Sequence, residues 1–401
     1  MLNVSRLLSG RPEPGDALRY HPGVQGAREG TGQGWGPVVV WNCTPACNLR
    51  CAHCYYEAGP GRHPAGLSTE EALAFVDDLA AFRVPVLLFS GGEPLLRSDL
   101  SVLVARAVER GIRTVISTNG TLITRAMAAR LRDLGVSYVG VSLDGGPETN
   151  DRLRGMPGAF GAALAGIRNC LQVGQRVGLR FTMNGDNRAE LEPILDLIET
   201  EGIPRACFYH LVCTGRGADM VSRNLPPAET RQAVETIFWR ALRLGSRVEL
   251  LTVDNHADAP YLYLWARRHL PERAEGILRL LEVNGGNRSG IAIAGVDHEG
   301  FVYPDQFTRR HPVGNIQERP FSAIWSGGHP LLAALRDRKR LLPLRCRACR
   351  WLSLCNGNFR ARAEAAAGDF WAMDSSCYLT DEEIAVDTEA PDGGSDGWVE
   401  N

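Results

Sequence analysis

The 401-residue chain has a formal net charge of -2 and no run of basic residues, which argues against bulk binding of nucleic acid. Its 44% hydrophobic and 22% charged residues are typical of a globular protein, and no stretch approaches the roughly 18 apolar residues of a membrane span. Because the N-terminus lacks the pattern of a secretory signal, we expect a cytoplasmic protein whose 11 cysteines serve metal or redox chemistry rather than disulfides.

Six predicted strands alternate with helices from residue 38 onwards. The strands are VVVWNC (38–43), VPVLLFS (84–90), IRTVIS (112–117), VSYVGVSL (136–143), VGLRFTMN (177–184) and RACFYHLV (205–212). The first helix opens with a capping box from Ser68 to Glu71, and others follow over 98–110, 125–135, 160–174 and 189–202. Six such units predict a parallel α/β sheet, either doubly wound and open or an incomplete barrel.

A distinctive loop follows each predicted strand. In chain order the loops carry the cysteines of 43–54, Gly91-Gly92-Glu93-Pro94, Thr118-Asn119-Gly120, Asp144-Gly145-Gly146, Met183-Asn184 and Gly215-Arg216-Gly217. The carboxyl ends of parallel strands share one edge of a sheet, and ligands bind at that edge in barrels and open sheets alike. We therefore predict the functional site there.

The pattern changes beyond residue 220. Two helical stretches, 227–245 and 259–282, flank a strand at 247–254, and a hairpin is predicted over 291–305 with its turn at His298-Glu299-Gly300. The acidic, glycine-rich tail, 387–401, is predicted to be disordered.

Cys47, Cys51 and Cys54 occupy one short loop after the first strand. Three thiolates would hold a four-iron, four-sulfur cluster and leave one iron open to another molecule. The alternative is a zinc site with Cys43 or His53 as the fourth ligand. Spacing alone leaves both possibilities open.

The segments CNLRCAHCY, FSGGEPLL, ISTNGTL and VSLDG, in that order, resemble the radical S-adenosylmethionine (SAM) superfamily from residue 38 to about 215. The resemblance implies an α/β fold, an incomplete (βα)6 barrel of the TIM type, with a [4Fe-4S] cluster on Cys47, Cys51 and Cys54. SAM would bind the open iron, and its reductive cleavage would yield a 5′-deoxyadenosyl radical that abstracts a substrate hydrogen. An electron donor such as a ferredoxin or flavodoxin is implied as a partner.

The resemblance also assigns SAM contacts. The loop Gly91, Gly92, Glu93 and Pro94 would present backbone groups to the methionine ammonium. Ser117, Thr118, Ser142 and Asp144 would face the ribose or carboxylate, and His53 would lie beside the adenine. Cys43 departs from the three-cysteine pattern, and we interpret it as an inward-facing strand residue.

A second cysteine group comprises Cys346, Cys349, Cys355 and Cys377. Four cysteines suffice for a closed zinc site or a complete cluster. Behind this barrel they resemble the SPASM or twitch extension, which implies an auxiliary [4Fe-4S] cluster with Cys377 as the expected fourth ligand. Asn356 stands where such extensions usually have a glycine.

The segments 208–217, 251–262, 286–307, 313–325 and 349–383 resemble radical SAM enzymes of haem d1 biosynthesis, and the resemblance runs from about residue 36 to 386. The resemblance implies attack on propionate side chains of didecarboxysirohaem, a tetrapyrrole. Candidate substrate residues are His210, Arg216, Asp254, His256, His298 and Tyr303, because histidine can bind tetrapyrrole iron and arginine can pair with propionates. Alternatives are a sirohaem-derived decarboxylase of haem synthesis, a SPASM peptide maturase, or, in another class, an iron–sulfur electron carrier or zinc-stabilised binding protein.

The predicted organisation is an N-terminal lead segment over 1–35, the partial barrel over 36–220, a helical and hairpin connecting region over 221–340, the auxiliary cluster region over 341–386, and the tail.

Overall fold

A computed structural model describes residues 1–11, 16–20, 35–63 and 66–385. The predicted acidic tail and much of the predicted lead segment lie outside these described residues. No helix in the described ranges is both long and apolar enough to cross a membrane.

The described residues form one mixed sheet of 11 strands, in the order β1-β8-β7-β6-β5-β4-β3-β2-β9-β10-β11. The strands are β1 (Leu2–Asn3), β2 (Val38–Asn42), β3 (Val86–Ser90), β4 (Arg113–Thr118), β5 (Tyr138–Ser142), β6 (Val177–Met183), β7 (Arg205–His210), β8 (Glu249–Val253), β9 (Ile293–Val296), β10 (Phe301–Tyr303) and β11 (Gly314–Asn315). The six predicted barrel strands are β2 to β7, paired in parallel in chain order. The predicted α/β fold is confirmed.

The sheet extends beyond these six strands at both edges. β8 pairs in parallel with β7, and β9 pairs in parallel with β2. β1 is antiparallel to β8, whereas β10 and β11 continue antiparallel from β9. Segments of the predicted connecting region therefore belong to the same sheet as the barrel strands.

Helices connect the parallel strands and flank the C-terminal cysteines. The α-helices are Val4–Ser9, Asp16–Arg19, Thr69–Ala81, Leu100–Glu109, Arg125–Asp133, Pro147–Arg154, Ala159–Val173, Leu191–Thr200, Pro227–Leu244, Asp258–His269, Pro271–Asn284, Phe321–Ser326, Pro330–Arg336, Leu344–Arg347, Leu352–Cys355, Arg360–Ala367 and Asp381–Ile384. The 3-10 helices are Pro94–Leu96, Arg188–Glu190, Gly215–Arg223 and Arg338–Leu341. The predicted Ser68–Glu71 capping box is present, so it fixes where its helix begins.

Successive side chains along the parallel strands point alternately into the hydrophobic core and into a cavity. Val39 and Trp41 of β2 are fully buried in the main hydrophobic core, whereas Val38 and Val40 line a cavity of about 520 Å³. The same alternation places Leu87 in the core and Leu88 on the cavity. The sheet thus curves around a lumen, as an incomplete barrel requires.

Candidate functional site

The loop after β2 holds Cys47, Cys51 and Cys54, and all three line the cavity. Two hydrogen bonds tie the loop to the Pro147–Arg154 helix: Ala52 N–H donates to Leu153 O at 2.9 Å, and Arg50 N–H donates to Arg154 O at 3.3 Å. The loop is therefore positioned by the fourth strand–helix unit, which lies about a hundred residues further along the chain.

N–H donors point at two of these sulfurs. Leu49 N lies 3.4 Å and Asn119 Nδ2 3.8 Å from Cys47 Sγ, and Arg154 Nη1 lies 3.7 Å from Cys51 Sγ. Burial, followed by the neighbouring thiols, raises the pKa of Cys47 to about 12. Since iron binds thiolates, cluster assembly must displace protons here, and N–H donors stabilise the resulting charge.

Cys43 does not line the cavity. Its buried Sγ donates to Ser90 O at 3.3 Å, and burial raises its pKa to about 12. Cys43 thus packs in the hydrophobic core between β2 and β3, away from the other three sulfurs of the segment.

The Gly91-Gly92 segment pairs with the cysteine loop through its backbone. Gly92 N–H donates to Thr44 O at 2.7 Å, and Glu93 N–H donates to Ala46 O at 2.7 Å. A Cβ on Gly92 would lie 2.1 Å from Ala46 O, so the close approach requires glycine. Gly91 and Gly92 line the cavity, but Glu93 and Pro94 do not.

Glu93 is fully buried and holds the next loop. Its carboxyl accepts from Thr118 Oγ1 at 2.8 Å, Asn119 N–H at 2.8 Å and Leu95 N–H at 3.1 Å. Burial raises the pKa of Glu93 to about 7, although these hydrogen-bond donors act to lower it. Glu93 and Thr118 therefore position Asn119 beside Cys47, and Glu93 itself lies outside the cavity lining.

Asp144 organises a buried ion cluster next to the cysteine loop. Its carboxylate accepts from Thr182 N–H at 2.8 Å, meets His53 Nε2 at 3.1 Å and pairs with Arg154. Burial opposes its ionisation, but Arg154 and then His53 outweigh burial and lower the Asp144 pKa to about 2. His53 lines the cavity with a buried Nδ1 that has no hydrogen-bond partner. Asp144 thus orients His53 and Arg154 rather than facing the cavity itself.

Of the residues predicted to contact SAM, Ser117, Thr118 and Ser142 also line the cavity. Ser117 Oγ accepts from Arg180 Nη1 at 2.6 Å. Arg154 and Arg180 both line the cavity and were absent from the predicted site. Neither belongs to one of the loops that follow the predicted strands. Only the folded chain brings them beside the cysteine loop and Ser117.

The second cysteine group gathers at the C-terminal helices. Burial raises the pKa of Cys346, Cys349 and Cys355, and the other thiols of the group, including Cys377, raise each further. Arg345 Nη1 lies 3.7 Å from Cys377 Sγ, and its Nε pairs with Asp381 at 2.9 Å. The four thiols therefore lie in one region of the structure, close enough to influence one another's ionisation.

Asn356, at the position of the expected glycine, adopts φ 54 in the left-handed region. Asparagine tolerates this conformation, so the departure keeps the local backbone. Asn356 Nδ2 donates to Asn287 O at 2.6 Å, and Asn287 N–H donates to Cys355 O at 3.1 Å. The neighbouring residues Gly286 and Phe359 line the cavity, so this segment forms a wall shared by the cavity and the second cysteine site.

No three His, Cys, Asp or Glu side chains in the described ranges converge as the ligands of a single metal ion would. The fit of the two cysteine groups to clusters therefore rests on their number, their spacing and the N–H donors around their sulfurs.

Four of the six candidate substrate residues line the cavity: His210, Arg216, Asp254 and His256. His210 Nε2 lies 3.0 Å from Asp258 Oδ2. Arg216 donates to Cys51 O at 2.9 Å and to Ala58 O at 2.7 Å, so it also stabilises the cysteine loop. Burial raises the Asp254 pKa to about 6 and lowers the His256 pKa well below its usual range, so His256 is neutral.

His298 and Tyr303 lie outside the cavity lining. His298 Nδ1 is 2.6 Å from Tyr56 Oη, and Tyr303 Oη donates to Asp297 Oδ2 at 2.8 Å. The hairpin therefore directs both side chains into buried hydrogen bonds within the protein, away from the cavity lining.

The radical SAM superfamily model matches residues 41–198. The chain is 52% identical over 399 residues to Fe-coproporphyrin III synthase of Methanosarcina barkeri (strain Fusaro / DSM 804), covering 96% of this chain and 99% of the relative. It is 41% identical over 375 residues to pre-heme d1 synthase of Dinoroseobacter shibae (strain DSM 16493 / NCIMB 14021 / DFL 12), covering 92% of each. Among solved structures, SAM-bound SuiB of Streptococcus suis matches with TM-score 0.68 and 17% identity over 86% of this chain and 78% of SuiB.

Proposed function

Because the chain belongs to the radical SAM superfamily, we propose that it modifies carboxylated side chains of an iron tetrapyrrole, with Fe-coproporphyrin III as the favoured product. The observation that carries the proposal is the 52% identity to Fe-coproporphyrin III synthase, which extends over nearly the whole of both chains. The substrate we expect is didecarboxysirohaem.

Cys47, Cys51 and Cys54 would hold the catalytic [4Fe-4S] cluster, and Cys346, Cys349, Cys355 and Cys377 the auxiliary one. When bound, the catalytic cluster and SAM supply the radical chemistry that removes a hydrogen atom from the substrate. The protein contributes position and enclosure: Asp144 orients His53 towards the cavity, and Glu93 holds Asn119 beside Cys47. A ferredoxin or flavodoxin would deliver electrons.

The charge of the cavity supports a ligand with several carboxylates. The lining contains seven arginines and only two acidic residues. The arginines are Arg19, Arg113, Arg154, Arg180, Arg205, Arg216 and Arg288, and the acidic residues are Asp254 and Asp305. Arginine is the residue best suited to pair with carboxylates in a partly dry site.

The neutral His256 supports an iron-containing ligand. Its ring stacks against Phe359 with 6.4 Å between centroids, and its backbone N–H donates to Asn358 Oδ1 at 2.7 Å. An imidazole whose pKa burial lowers carries a free lone pair at neutral pH, as an axial ligand to haem-type iron must.

Haem d1 synthesis is the second candidate function. The 41% identity to pre-heme d1 synthase over 92% of both chains favours it specifically. In that case oxo groups would eventually replace two propionates of didecarboxysirohaem. We rank Fe-coproporphyrin III synthesis first because the identity to that relative is higher and extends over a longer span.

Product analysis tests the proposal. Anaerobically reconstituted protein would be incubated with SAM, dithionite and didecarboxysirohaem, and the tetrapyrrole would be analysed by mass spectrometry. We expect a product that matches authentic Fe-coproporphyrin III, formed together with 5′-deoxyadenosine.

A mass corresponding to propionate loss would indicate the haem d1 reaction. Unchanged tetrapyrrole alongside efficient SAM cleavage would contradict both candidates and favour another substrate, such as a peptide. The triple variant Cys47→Ala/Cys51→Ala/Cys54→Ala, which lacks the catalytic thiols, is the negative control.

A further inference from the structure

Arg180 of β6 is a cation inside the barrel. Its side chain lines the cavity, donates from Nη1 to Ser117 Oγ at 2.6 Å, and lies 5.9 Å from the centroid of the Tyr209 ring. Its Nε is buried and has no hydrogen-bond partner among the residues that the structure describes. No carboxylate within the described ranges forms an ion pair with this guanidinium.

Two arginines near Arg180 pair with carboxylates of the protein. Arg154 pairs with Asp144, and Arg205 pairs with Glu249 at 3.1 Å. A buried charge without a counter-ion is costly, and a protein retains one where something else supplies the opposite charge. Arg180 therefore differs from Arg154 and Arg205 in having no ion-paired carboxylate among the described residues.

The fold makes space for Arg180. A Cβ on Gly140 of the adjacent strand β5 would lie 2.2 Å from Arg180 Nε, so the guanidinium occupies the space that the absent side chain of Gly140 leaves in the lumen. The same arrangement keeps Arg180 next to Ser117 rather than turned towards the barrel wall.

We propose that Arg180 binds a side-chain carboxylate of the tetrapyrrole inside the barrel, with Ser117 and Tyr209 holding the guanidinium in place. The proposal rests on the proposed function. SAM is a less suitable source of this carboxylate: it carries one, expected at the open iron beside the Cys47–Cys54 loop, where Arg154 already reaches Cys51 Sγ. A tetrapyrrole with several carboxylates can place one on the cluster side and another in the lumen.

Two probes that differ only in charge test the proposal: iron coproporphyrin III and its tetramethyl ester. Each would be titrated by absorbance into the anaerobic, cluster-loaded protein as wild type, Arg180→Gln, Arg180→Lys and the control Arg125→Gln. Arg125 is an exposed arginine outside the cavity lining. We expect Arg180→Gln to weaken binding of the free acid about 10- to 100-fold, the range of a lost charge-assisted hydrogen bond, and Arg180→Lys to weaken it less.

The ester should bind wild type and Arg180→Gln equally, and the Kd for SAM should not change. Equal losses for acid and ester would overturn the proposal, because they would indicate a packing defect. Weakened SAM binding with unchanged tetrapyrrole binding would also overturn it, and would assign Arg180 to the methionine carboxylate. If the wild-type protein binds neither probe, the proposed function itself fails. If the wild-type protein and Arg180→Gln bind the free acid equally well, only the inference about Arg180 fails.

Discussion

At the scale of single residues, the site depends on buried carboxyl groups that hold other side chains. Glu93 positions Asn119 at Cys47, and Asp144 positions His53 and Arg154. Both carboxyls are fully buried, yet their pKa values shift in opposite directions. Asp144 pairs with the cation Arg154, whereas the hydrogen-bond donors of Glu93 are neutral. Burial therefore determines the direction of the pKa shift for Glu93 but not for Asp144.

Glu93 should make the unloaded protein less stable as the pH rises. Its pKa is about 7 when folded and near 4.5 when unfolded, so between these values the folded state binds the extra proton. The free energy of unfolding should fall by up to about 3 kcal/mol from pH 4.5 to 7, at ~1.4 kcal/mol per pKa unit, and then level off. Urea unfolding of wild type and Glu93→Gln across this range measures the effect, because the variant should lack this contribution. If the free energies of unfolding of wild type and Glu93→Gln changed with pH in the same way, the raised pKa of Glu93 would be contradicted.

The Asp144–Arg154 pair gives a second prediction. Arg154→Leu leaves a fully buried carboxylate with His53 as its remaining ionisable partner, and should reduce the free energy of unfolding by about 3–5 kcal/mol. Adding Asp144→Asn removes the stranded charge and should recover part of that loss. Arg152→Leu, an exposed change on the same helix, is the control. If the double variant lost as much free energy of unfolding as the two single variants together, Asp144 and Arg154 would not be coupled.

At the scale of elements, the contact between the Gly91-Gly92 segment and the cysteine loop is the most constrained. Gly92→Ala would place a methyl group against Ala46 O and separate the two loops. We expect loss of the catalytic cluster, about four irons per chain, together with loss of SAM cleavage.

Gly161→Ala is the matched control for Gly92→Ala. It lies on the exposed face of the Ala159–Val173 helix, with no atom within 4 Å of the added methyl group, and should retain all iron and SAM cleavage. Full iron content in Gly92→Ala would show that the loop contact is dispensable.

The sequence was sufficient to predict elements whose signals are local. β2 to β7 follow from apolar runs, and the Ser68–Glu71 capping box from adjacent residues. The pairing of β8 with β7 and of β9 with β2 depends on contacts between distant segments, which no local pattern encodes. Arg154 and Arg180 escaped prediction for the same reason, and so did the burial of His298 and Tyr303 outside the cavity.

At the scale of the whole molecule, the two cysteine groups should behave as separable sites. The reconstituted chain should hold about eight irons, and the Cys47→Ala/Cys51→Ala/Cys54→Ala variant about four, without SAM cleavage. Replacing Cys346, Cys349, Cys355 and Cys377 by alanine should also leave about four irons, but with SAM cleavage retained. Iron analysis and 5′-deoxyadenosine assays check both sets. Surviving cleavage in the first variant would refute the assignment of the catalytic cluster.

The Asn287 segment, bonded to Cys355 on one side and flanked by cavity-lining Gly286, joins the second cysteine group to the wall of the cavity. A substitution at Asn287 would therefore disturb the thiol group and the cavity at the same time, although its side chain belongs to neither.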